Sequence, residues 1–170
     1  KTISITGTII GWNFSGLGDV SKITNISQWG DLRLGNNAGA YFYQASNLKI
    51  TATDILDLTG TTDMHSAFQG TAIDTVPHMD EWDVSNVTNM EYMFSDAYEF
   101  NQDIGSWNTS KVTNMRLMFS GARLFNQTIG SWNTSIVNDM EYMFYNALAF
   151  NQDISAWNTS NVTKMGYMFA

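Results

Sequence analysis

Apolar residues recur in a fixed order along the second half of the chain. Met90, Met93, Phe94 and Ala97 fall at i, i+3, i+4 and i+7, the stripe of a short amphipathic helix. Ser85 or Asn86 stands where a cap is expected. Residues 100–104, PheAsnGlnAspIle, read as a brief strand with Phe100 and Ile104 inward, and Gly105 turns the chain after it. Val87, five residues after Trp82, is a further inward position.

The same order returns every 25 residues. Tryptophan recurs as Trp82, Trp107, Trp132 and Trp157, and methionine as Met90, Met115, Met140, Met165 and Met93, Met118, Met143, Met168. Phenylalanine follows as Phe94, Phe119, Phe144, Phe169 and as Phe100, Phe125, Phe150. Residues 107–131 and 132–156 agree at thirteen of 25 positions. Upstream the pattern is weaker, with Phe42, Phe68 and Phe94 spaced by 26 and Leu56 standing where a tryptophan would be. Residues 29–170 thus divide into about six units, the last incomplete. Residues 1–28 do not fit. Ile3, Ile5 and Ile9 alternate with small polar residues as a strand would, and the segment is expected to cap the first unit.

A unit this short cannot offset its ordering entropy with its own contacts. Each buried Trp, Phe or Met contributes about 1.5–3 kcal/mol when a neighbour covers it, so matching residues should lie on one another. Charges support this reading: Glu91, Arg116 and Glu141 alternate in sign down one column. The predicted fold is an α/β repeat solenoid, with one short strand and one short helical turn per coil and an N-terminal β cap.

PheAsnGlnAspIle, then TrpAsnThrSer-x-Val-Thr-Asn-Met-x-x-Met-Phe, closely resembles the BspA-type surface-protein repeat, also described as a domain of unknown function in mycoplasma lipoproteins. SerGlnTrpGlyAspLeu (27–32) and AlaSerAsnLeuLysIleThrAla (45–52) resemble the lead-in of that family, so the likeness covers roughly residues 25–170. It implies a right-handed, leucine-rich-repeat-like solenoid on bacterial surface or secreted proteins, with roles in adhesion or protein binding. It supplies no catalytic residues to carry over.

Composition narrows the partners. Sixteen acidic against eight basic residues give a net charge of −8, which disfavours nucleic acid and anionic membranes. The absence of cysteine excludes disulfides and thiolate metal sites. No apolar run approaches the roughly 20 residues of a membrane span. A start at Lys1 reads as a piece of something longer. Its last residues, Met165, Met168 and Phe169, carry no polar cover and lead us to expect contact with further repeats, a partner domain or another copy.

Most singular residues have a plain account. The methionine and tryptophan columns read as core. His65 and His78 lie in no metal or nucleophile motif, and Asp80, Glu81 and Asp83 match no calcium pattern. The threonine columns are interrupted at Asn138 and flanked by Lys111 and Lys164, which argues against an ice-binding face. No enzyme activity, cofactor or metal is expected. Binding, if present, should use exposed positions that differ between coils. One set is Tyr92, Tyr142 and Tyr167 with Tyr98, Arg123 and Tyr145, aromatics and an arginine of the kind found in interface hot spots. The competing account is that these tyrosines simply cover the helix edge. A second set is the polar strand face of Gln102, Gln127 and Gln152. The expectation is an extracellular or cell-surface binding module for a protein or glycan ligand. The alternative is a structural spacer joining other domains.

Overall fold

The computed structural model describes residues 7–14, 18–35 and 39–170. Among them there is no α-helix, and the strands are two residues each: β1 (Ile9–Ile10), β2 (Asn25–Ile26), β3 (Leu32–Arg33) and β4 (Lys49–Ile50). β1 pairs in parallel with β3, and β2 with β4, as two separate sheets. Short 3-10 turns stand at Val20–Lys22 and Met79–Glu81. The α/β, leucine-rich-repeat-like solenoid read from the sequence is therefore incorrect for this chain. Of the alternating isoleucines, Ile9 lies in β1, whereas Ile3 and Ile5 lie outside the described residues.

The helix fails for a backbone reason. Tyr92 and Asp96 have φ of 56° and 55°, in the left-handed region that breaks a right-handed helix at each of them. The pair recurs as Ala40 and Gln44, Ser66 and Gly70, Leu117 and Gly121, and Tyr142 and Asn146. Two consecutive turns result, not one helix. They return the chain every three to four residues, so the apolar stripe has helical spacing without a helix.

These turns divide their backbone bonds by parity. The N–H groups of Met93, Ser95 and Ala97 donate locally, to the carbonyls of Met90, Tyr92 and Phe94 at 3.0–3.2 Å. Those of Met90, Tyr92, Phe94 and Asp96 donate to the next repeat, at the carbonyls of Asn114, Arg116, Met118 and Ser120. Each group thus has a partner, as a buried backbone requires, but four of these seven partners lie 24 residues away. Isolated parallel bridges run down the same line: Asp63 to Asn89, Asn114, Asp139 and Lys164.

Polar columns close the remaining turns. The side-chain oxygens of Asp83, Asn108, Asn133 and Asn158 each accept the N–H two residues on, at 3.0–3.1 Å, and so form Asx turns after each tryptophan. The expected strand at 100–104 is also absent. Its inward residues Phe100 and Ile104 are fully buried, but the neighbouring N–H of Asn126 bonds the Asn101 side chain at 2.9 Å, not a carbonyl. A side-chain ladder replaces the backbone ladder there.

The core is one continuous cluster. Phe42, Phe68, Phe94, Phe119, Phe144 and Phe169 stack in sequence, with ring centroids 5.4–5.8 Å apart. Beside them Trp82, Trp107, Trp132 and Trp157 stack at 6.4–6.5 Å. Met90, Met93, Met115, Met118, Met140 and Met143 are fully buried between these rows.

Candidate functional site

The second turn of each repeat ends with a small residue, Ala97, Ala122 or Ala147, packed inward. The N–H of Phe100 then bonds the carbonyl of Ala97 at 3.0 Å, and residues 98 and 99 are left at the outer corner. Stacking sets the corners side by side. Tyr98, Leu124 and Leu148 are 50%, 51% and 75% exposed there. The Arg123 guanidinium lies over the Tyr98 ring, 5.0 Å from its centroid. The N–H of Ala149 donates to the Arg123 carbonyl at 3.1 Å and ties two corners together. The result is an exposed aromatic and aliphatic face crossed by one cation.

The residues singled out from the sequence separate into three groups. Tyr98 and Arg123 are exposed and belong to this face, whereas the exposed Tyr145 packs edge-on against Tyr142 at 5.6 Å. Tyr92 and Tyr142 are half-buried on the left-handed turn, and Tyr167 is exposed. Arg116 reaches the Tyr92 hydroxyl at 2.7 Å, and Tyr142 stacks on Tyr167 at 5.1 Å. Gln102, Gln127 and Gln152 do not form a free polar face. Gln102 spans Val76 N–H and Asp74 O, Gln127 donates to Asn101, and Gln152 donates to Asn126, so their amides join neighbouring repeats. Leu124 and Leu148 were not anticipated. The available signal was an apolar residue following a charged one in its column, Leu124 after Glu99 and Leu148 after Arg123.

Three residues approximate a hydrolytic constellation. Ser66 Oγ lies 3.2 Å from His65 Nε2, and His65 Nδ1 lies 3.9 Å from Glu91 Oε2. The hydroxyl donates instead to Gln69 Oε1 at 2.7 Å. The N–H groups of Ser66 and Ala67 are engaged by Glu91 O and Met64 O, which leaves neither to hold an oxyanion. Glu91 is also paired with Arg116 at 3.2 Å. This geometry is a packing contact.

The acidic stretch is similarly engaged. His78 pairs with Glu81 at 2.7 Å. Hydrogen bonds from the Ser85 hydroxyl and N–H hold the Asp83 carboxyl below the usual range against partial desolvation, with Lys111 adding to the effect. Among the described residues no group of three or more His, Cys, Asp or Glu is placed to hold a metal, and no helix is long and apolar enough to cross a membrane.

No curated protein and no solved structure matches the chain. Residues 62–170, more than half of its length, match the family described as "Mycoplasma protein of unknown function, DUF285", and the chain belongs to that family.

Proposed function

We propose that the chain is a BspA-type binding module of a surface or secreted protein, which recognises a protein ligand through the corner face of Tyr98, Arg123, Leu124 and Leu148. The observation that carries this reading is the exposure of two aliphatic side chains beside a tyrosine and an arginine, on a scaffold whose other large apolar residues are mostly buried. The scaffold is held by stacked rings and inter-repeat hydrogen bonds, so the backbone of the face is pre-organised and only its side chains are ordered on binding. The motif resemblance described above supports the surface setting. The test is an array of proteins and glycans probed with the chain and with Leu148→Ser and Arg123→Ala variants. A ligand whose signal falls tenfold or more in both variants supports the reading, and a ligand indifferent to both counts against it.

A second reading is favoured by the unbroken phenylalanine row from Phe42 to Phe169: a stiff spacer that separates other domains. A blank array would favour it.

A further inference from the structure

We propose that the cleft beside Tyr98 takes the cationic side chain, lysine or arginine, of a partner polypeptide. The inference rests on the binding-module reading and names the chemistry at one end of its face. The cleft is open, holds about 540 Å3, and is lined by Gln44, Ser46, Thr71, Asp96, Tyr98 and Glu99 among others. Asp96 and Glu99 are exposed carboxylates, and no lysine or arginine lines the cleft. Its floor is fixed. Thr71 is buried with its hydroxyl donating to Phe68 O at 2.7 Å, and the Gly70 N–H donates to Ser95 O at 2.8 Å.

The chain already holds a guanidinium with the same parts. Arg116 donates from Nη1 to the Tyr92 hydroxyl at 2.7 Å and to Glu91 at 3.2 Å, and from Nε to Glu141 at 3.1 Å. Its Cζ lies 5.5 Å from the Tyr92 ring centre. The cleft repeats the tyrosine and the two carboxylates, and the Tyr98 ring already carries the Arg123 guanidinium over one face. A lysine or arginine entering from solvent would lay its methylene stem along Tyr98 and set its charged head between Asp96 and Glu99. The net charge of −8 favours approach of a basic partner.

The test uses the intact chain, labelled with 15N, titrated at low salt with acetyl-Gly-Lys-Gly-amide and with its norleucine counterpart. The expected result is saturable shifts for the lysine peptide at Gln44, Ser46, Thr71, Asp96, Tyr98 and Glu99, with none for norleucine. Asp96→Asn combined with Glu99→Gln should weaken binding at least about fivefold, the scale of one exposed ion pair. Asn is tolerated at position 96, because Asn146 holds the same left-handed turn at φ 55°. The proposal is overturned by equal shifts around Asp80, Glu81 and Asp83, by an equal response to norleucine, or by no response. It is also overturned if a neutral oligosaccharide moves these amides and the lysine peptide does not. An array ligand lost in Leu148→Ser, with no lysine response in the cleft, would remove this inference and leave the binding face standing. A localised lysine titration with every array ligand indifferent to Leu148→Ser would remove the face and leave the cleft.

Discussion

Trp132 lies over Trp107 with ring centroids 6.5 Å apart and planes 3° from parallel, and its Nε1 donates to the Ile104 carbonyl at 3.1 Å. Trp82 begins the row without such a partner: its indole N–H is buried and unpaired. Trp→Phe at either position removes similar volume, so the difference between them isolates the hydrogen bond. Trp132→Phe should cost about 1 kcal/mol more than Trp82→Phe in urea unfolding. Equal costs would show that the indole bond contributes nothing to stability.

Gly105 marks a close approach and not only a turn. A Cβ there would meet the Thr128 carbonyl of the next repeat, and one at Gly130 would come within 2.5 Å of the Asp153 carbonyl. Both obstacles are backbone, which no rotamer change relieves. Gly105→Ala should therefore destabilise by about 1–3 kcal/mol, whereas Gly60→Ala, with no atom near its Cβ, should cost only the strain of φ 81°. Thermal melts of the two variants would separate steric from conformational cost.

Tyr41 couples stability to alkaline pH. Burial first, and the Asp63 charge second, push its phenol up to about 12, and its hydroxyl donates to Gly35 O at 3.0 Å and Asp63 O at 2.8 Å. Below the ordinary value of about 10 both folded and unfolded chains keep the proton, and the full contribution is present. Between about 10 and 12 only the unfolded chain releases it, so stability falls as pH rises and the contribution is gone above that window. A Tyr41→Phe variant should lack this part of the slope in pH-dependent melts. Parallel slopes would show that the phenol does not titrate as described.

Arg116 sits between Glu91 and Glu141, at 3.2 and 3.1 Å, and half-buried carboxylates on both sides depend on it. Arg116→Met should cost about 1 kcal/mol and more at low salt, because it leaves like charges in one column. A double-mutant cycle with Glu141→Gln should show coupling of about 0.5 kcal/mol or more. Arg116→Lys should not restore it, since a single ammonium cannot reproduce the forked donors.

How much of this was legible from residues alone depended on what each signal measured. The tryptophan and phenylalanine columns report side-chain contact directly, and those contacts are present. The helix was misread because apolar spacing of three and four is produced equally by two successive left-handed turns. Gly70, Gly121 and Asn146 mark the second of these turns, but Tyr92, Leu117 and Tyr142 occupy the first with full side chains. The strand at 100–104 was misread because Asn101 and Asn126 supply the lateral bonds from side chains. At the candidate face, variation between repeats pointed to Tyr98 and Arg123. It also pointed to the glutamines, whose long amides turn out to reach back to the neighbouring repeat.

The parity of the backbone bonds makes the length of this protein adjustable in whole steps. Excising residues 107–131 would join Ser106 to Trp132, the same dipeptide as Ser131–Trp132. The Met90 amide would then meet the carbonyl of Asp139 where it now meets Asn114, and Phe94 would face Phe144. A gene that gains or loses such a block by unequal recombination would still encode a chain with every amide matched, whereas loss of 24 or 26 residues would offset every row beyond the junction.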